Sequence, residues 1–141
     1  MVSFARSERQ ALGNTALSLG PDAPTLCTDW TVKDLVIHLL VRERRPWAAP
    51  GIFIKSLAPL RQRAERAYAG QSLPELVERF RNPSGTHAAI EQVDRLMNTV
   101  ELFVHHEDLR RAQPGWSPRT LSTGESAELM GALRLLGRGL V

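Results

Sequence analysis

Apolar residues recur along this chain at helical spacing, in blocks cut apart by proline and glycine. From Ser3 to Ser18, Phe4, Ala11, Leu12, Ala16 and Leu17 gather near one side, and Gly20-Pro21 ends the block. A second helix is predicted from Thr31 to about Arg45. Thr31 is a good N-cap, Asp34 at the third helical position completes a capping-box-like pair, and Pro46 stops the run. Residues 46–55 hold two prolines and a glycine among large apolar side chains, which predicts an ordered connection over one end of a bundle. A third helix is expected from about Leu57 to Ala69. Ser72-Leu73-Pro74-Glu75 announces a short fourth, with serine as cap, proline in the first turn and glutamate closing the box. Asn82-Pro83-Ser84-Gly85 ends it.

A long helix follows, from Ile90 or Gln92 to Ala112, before Pro114-Gly115. Leu96, Val100, Leu102, Phe103, Val104 and Leu109 lie almost all round it, so it is expected to be the most buried helix. A last helix starts after Ser122, with Glu125 three residues on, and carries Leu129, Met130, Leu133, Leu135 and Leu136 toward Gly137. No alternating pattern of useful length predicts a strand. The pattern therefore predicts an all-α, up-and-down four-helix bundle with short additional helices, one domain over residues 1–141.

Composition narrows the picture. With 141 residues and 43% hydrophobic content, the chain is long enough to bury a core. The net charge is +3, and of the 18 basic residues all but Lys33 and Lys55 are arginine. The arginines are dispersed: Glu43 sits among Arg42, Arg44 and Arg45, while Arg110 and Arg111 follow Glu107 and Asp108. No stretch interleaves arginine with aromatics, so a nucleic-acid partner is not expected. No segment approaches the roughly 20 apolar residues that span a bilayer, so no membrane is expected either. Charges near the N-terminus break any signal-peptide core, and a lone Cys27 makes no internal disulfide; a cytoplasmic location is expected. Cys27 reads as a small buried hydrophobe rather than a nucleophile.

The chemistry concentrates on the long helix. Four residues turn a helix by ~400°, so Glu101 and His105 lie ~40° apart, one turn above the other, where they can share a ligand. His106 lies a further ~100° round and cannot easily join them. Asp108 returns to nearly the same face and could orient a ligand or serve as one. If the second helix faces this one, His38 adds an imidazole, which makes three ligands for a transition metal with an open position. Taken singly, Glu101 could instead pair with an arginine and His105 could be a core histidine bonded to a carbonyl. His38 shares its side with Asp34, Arg42 and Arg45, which suits either a polar boundary or a cleft where Arg42 and Arg45 hold an anionic substrate or cofactor. His87 reads as a surface or helix-start residue.

Two blocks carry a family resemblance: Trp30-Thr31-x-x-Asp34-Leu35-x-x-His38, and Glu101-x-x-x-His105-His106 within Val100 to Ala112. Over nearly the whole chain they resemble the N-terminal metal-binding domain of the mycothiol-dependent maleylpyruvate isomerase family, in the DinB-like superfamily. The resemblance implies a metal held by His38, Glu101 and His105. It also implies a low-molecular-weight thiol such as mycothiol, and transfer or isomerisation of a small electrophile. Zinc is the first expectation for the divalent ion, with nickel, iron or manganese compatible with nitrogen and oxygen ligands. The isomerases continue into a smaller C-terminal domain that helps form the substrate site, whereas this chain stops at Val141. The expectation is therefore a fragment or a branch lacking that domain, with thiol chemistry rather than maleylpyruvate itself. The alternative is a non-enzymatic metal-binding bundle for a small molecule or protein partner. A homodimer is compatible with the apolar stretch Ile52-Phe53-Ile54.

Overall fold

A computed structural model describes residues 3–27, 29–44, 50–83 and 88–140. The fold is all-α. Its helices are α1 (Phe4–Leu19), α2 (Val32–Arg44), a single-turn α3 (Pro50–Phe53), α4 (Ala58–Ala69), α5 (Leu73–Arg81), α6 (Ala88–Arg111) and α7 (Thr123–Leu140), with a 3-10 turn at Lys55–Leu57 before α4. Among the described residues there is no strand, only an antiparallel bridge between Pro24 and Thr31. Arg45, the segment 46–49 and His87 lie outside the described residues.

The predicted caps are formed. Thr31 N donates to Asp34 Oδ2 at 3.0 Å and Asp34 N to Thr31 Oγ1 at 3.2 Å. Ser72 with Glu75, and Ser122 with Glu125, make the same reciprocal pair at the starts of α5 and α7. Each box satisfies two backbone N–H groups that a helix start otherwise leaves open. At the other end of α1, Gly20 takes φ 88, a conformation that side chains with a Cβ rarely adopt.

Among the described side chains the longest unbroken buried run lies in α2 rather than in α6. From Leu35 to Val41 every residue of α2 is buried. Helix α2 packs against α1, α4 and α5, so its continuous apolar run is covered on several sides. In α6, Leu102 and Leu109 are fully buried, but Val104 is 47% exposed. The buried groups on α6 also include the polar Asn98, Thr99, His106 and Glu107. Burying each large aliphatic side chain of the α2 run stabilises the fold by about 1.5–3 kcal/mol.

Polar pairs fix the helices to one another. Arg9 of α1 bonds Glu43 of α2 through two nitrogens, each at 2.9 Å, and the Phe80 carbonyl of α5. Glu8 of α1 is buried against His106 of α6 at 2.7 Å and takes two hydrogen bonds from Arg119 in the segment after α6. Arg119 also reaches Glu107 at 2.7 Å. His106 thus points away from Glu101, into a contact with Glu8 and Thr15. Among its described side chains, helix α7 buries a narrow stripe, Leu129 and Ala132, and leaves Met130, Leu133 and Leu135 exposed.

Candidate metal centre

Helices α2 and α6 bring His38, Glu101 and His105 together, with one ligand atom of each within 4.8 Å of the other two. Glu101 Oε2 lies 3.2 Å from His105 Nε2, as the one-turn spacing predicts. The ring of His38 meets that of His105 at 5.2 Å between centroids, nearly edge-on, and Trp30 covers another side of His38 at 4.7 Å. His38 is buried, and its Nδ1 has no hydrogen-bond partner among the described residues. A buried nitrogen without a partner is costly unless something outside the protein engages it.

The surroundings set the charge of each donor. Burial, then the adjacent His105, pushes the pKa of His38 down to about 4; Arg42 and Arg61 act in the same sense and Glu101 opposes them. Its imidazole is therefore neutral at pH 7, with lone pairs available. The hydrogen bond with His105 holds the Glu101 carboxyl below its ordinary range against the effect of burial, aided by Arg42. The donor set is then neutral nitrogen and anionic oxygen, which suits a borderline divalent ion.

On the far side of His105, Nδ1 is 3.1 Å from Asp108 Oδ2, the same oxygen that accepts from Cys27 Sγ at 3.2 Å. Cys27, His105 and Asp108 also group within 4.8 Å. Burial raises the Cys27 thiol to about 11, reinforced by its hydrogen bond to Asp108. Cys27 is half-buried and polar-bonded, where the sequence predicted a buried hydrophobe. Its proximity to Asp108 was not legible, because the two lie 81 residues apart in the chain.

Arg42 is engaged within the protein. It donates to Asn98 Oδ1, lies 3.8 Å from Glu43, and places Nε 4.0 Å from Glu101 Oε2. The arginine partner weighed for Glu101 is thus present alongside His105. Arg45, the other arginine expected in the cleft, lies outside the described residues. A cavity of about 370 Å³ opens beside His38, lined by Trp30, Gly51, Ile52, Lys55 and Arg61 among others. A second, of about 540 Å³, shares Trp30 and is lined by Asp29, Asp34 and Glu65.

A helical bundle in which two imidazoles and a carboxylate from two helices converge beside an open cavity defines a class of candidate metal-dependent proteins. Within that class the chain belongs to the mycothiol maleylpyruvate isomerase N-terminal domain family, which matches residues 5–120. That span covers α1 to α6 and all three converging residues; α7 lies beyond it. Neither the curated proteins nor the solved structures yield a match. No helix among the described residues is long and apolar enough to cross a membrane.

Proposed function

We propose that His38, Glu101 and His105 hold one divalent metal ion, zinc in the first instance, and that the protein uses a low-molecular-weight thiol such as mycothiol to transfer onto, or isomerise, a small electrophile. The observation that carries this reading is the buried, unpartnered Nδ1 of His38 beside an ionised carboxylate and a second imidazole. A bound divalent ion would supply Lewis acidity that keeps a thiol ionised near neutral pH.

The chain's own residues would do the rest. Asp108 Oδ2, 3.1 Å from His105 Nδ1, anchors that side of the ring and leaves Nε2 facing Glu101, where it would meet the ion. Arg42 steadies the Glu101 carboxylate from the side, and Trp30 shields one face of His38 from water. Two imidazole nitrogens and one carboxylate around a divalent ion would leave a net +1, a charge that favours an anionic thiol partner. In a transfer, sulfur forms a bond to the electrophilic carbon and the leaving group departs with its electron pair. In an isomerisation, sulfur adds to a double bond and is expelled after rotation.

Elemental analysis of the purified protein beside Glu101→Ala tests the ligand set. About one equivalent of metal in the parent and little in the variant is expected; equal content in both removes Glu101 from the site. A thiol titration of the cobalt-substituted protein tests the chemistry. A change in the visible spectrum is expected, and its absence leaves the non-enzymatic metal-binding bundle as the better reading.

A further inference from the structure

The anion-binding role that the sequence assigned to Arg42 and Arg45 has a different set of candidates in the structure. Arg42 is turned to Asn98, Glu43 and Glu101. The cavity beside His38 instead carries two other cations, Lys55 and Arg61, and no acidic residue among the described ones lines it. Lys55 makes no hydrogen bond or ion pair among the described residues, and Arg61 gives one nitrogen to Glu65, which lines the neighbouring cavity, and no other nitrogen to a described residue. The remaining wall is Trp30, Ile52, Gly51 and Ala58, an apolar lining that strengthens any charge-charge contact formed inside it.

The short helix α3 is held close to α4 by Gly51, since a Cβ there would stand 2.5 Å from the Leu57 carbonyl and 2.9 Å from the Arg61 nitrogen. That close approach brings the segment bearing Lys55 and the first turns of α4 to the same cavity as His38. A cavity of about 370 Å³ takes a small molecule, and the guanidinium fork of Arg61 matches a planar anion better than a point charge does.

We propose that Lys55 and Arg61 form a carboxylate subsite for the electrophile, with its reactive carbon turned toward His38. The assignment rests on the thiol-transfer reading for the word electrophile, whereas the subsite itself uses no metal ligand other than the His38 wall. The probe is succinate, an unreactive dicarboxylate, titrated calorimetrically into the metal-free full chain, with succinamide as the uncharged control. Succinate is expected to bind and succinamide not. K55Q and R61Q are each expected to weaken succinate about threefold to tenfold, with zinc stoichiometry unchanged.

Equal succinate affinity in the parent and both variants overturns the subsite, as does succinamide binding as tightly as succinate. Lys55 is exposed and unpartnered, so K55Q decides the matter even if R61Q folds poorly. On the zinc-loaded chain, 3-mercaptopropionate separates the two sources of a carboxylate. If K55Q weakens mercaptopropionate but leaves succinate unchanged, the carboxylate belongs to the thiol and the assignment to the electrophile is wrong. Failure to bind zinc sinks the metal reading alone, because the succinate titration is read on metal-free protein.

Discussion

His38 gives the metal-free protein a specific acid sensitivity. Its imidazole is only 7% exposed, Nδ1 has no partner, and burial above all holds its pKa at about 4 against an ordinary 6.5. An unfolded chain therefore takes up this proton near pH 6.5, and the folded chain only near 4. Between those values the unfolded state binds more protons, so stability falls as pH drops through the window and levels off below it. At about 1.4 kcal/mol per pH unit, the separation between 6.5 and about 4 amounts to roughly 3 kcal/mol at the foot of the window.

Urea unfolding in the presence of a chelator, at a series of pH values from about 7.5 to about 4, measures the effect. His38→Gln removes the titration, so its stability curve should be flatter than the parent's by that slope, whatever constant offset the substitution adds. The carboxyls of Glu8, Glu101 and Glu107 are held below their ordinary 4.5, so their stabilisation is lost as pH falls from about 4.5, at the lower edge of the window; the subtraction removes it for Glu8 and Glu107, and the comparison is read above about pH 5, where Glu101, which feels His38, stays ionised in both proteins. Parallel curves for parent and variant between about pH 6.5 and 5 would show that the folded protein protonates His38 as readily as the unfolded chain. Burial would then not be what keeps the folded imidazole neutral.

Other expectations follow from the same contacts. With its pKa raised from 9.0 to about 11, Cys27 holds about 100-fold less thiolate near neutral pH, partly offset by the higher nucleophilicity of that thiolate, so it should react with a disulfide reagent about 10-fold more slowly than a free cysteine; labelling at the free-thiol rate would contradict its contact with Asp108. Arg119→Ala strips two hydrogen bonds from the buried Glu8 and one from Glu107, and should cost about 3 kcal/mol in denaturant unfolding; a loss below about 1 kcal/mol would mean that His106 alone satisfies Glu8. Gly51→Ala sets a methyl group against backbone atoms of Leu57 and Arg61 and should cost about 1–3 kcal/mol, seen as a lower melting temperature; an unchanged melt would show that α3 can move away from α4 freely.

Much of the fold was legible in local chemistry. Capping boxes at Thr31, Ser72 and Ser122, and the breaks at Gly20-Pro21 and Pro114-Gly115, act over a few residues and mark helix limits without reference to the rest of the chain. The proximity of Glu101 to His105 follows from one turn of helix and needs no tertiary information. Helical periodicity misjudged burial, however. An apolar run such as 35–41 and an all-round apolar helix such as α6 look alike in sequence, and only the number of neighbouring helices distinguishes them.

Sequence alone thus determined the helix limits that carry a capping box or a Pro/Gly break, and which donors share a face, because those depend on dihedral preference and a fixed turn per residue. The start of α6 at Ala88, ahead of the expected Ile90 or Gln92, and the single turn α3 inside the expected connection were not placed by such local marks. Tertiary structure decided the rest. It brought His38 up to α6, sent Arg42 to Asn98 and Glu101, turned His106 to Glu8, and brought Cys27 against Asp108. Each of those contacts joins segments far apart in the chain, and depends on how helices pack and on which buried polar groups can satisfy one another. Neither is encoded in any single stretch of residues.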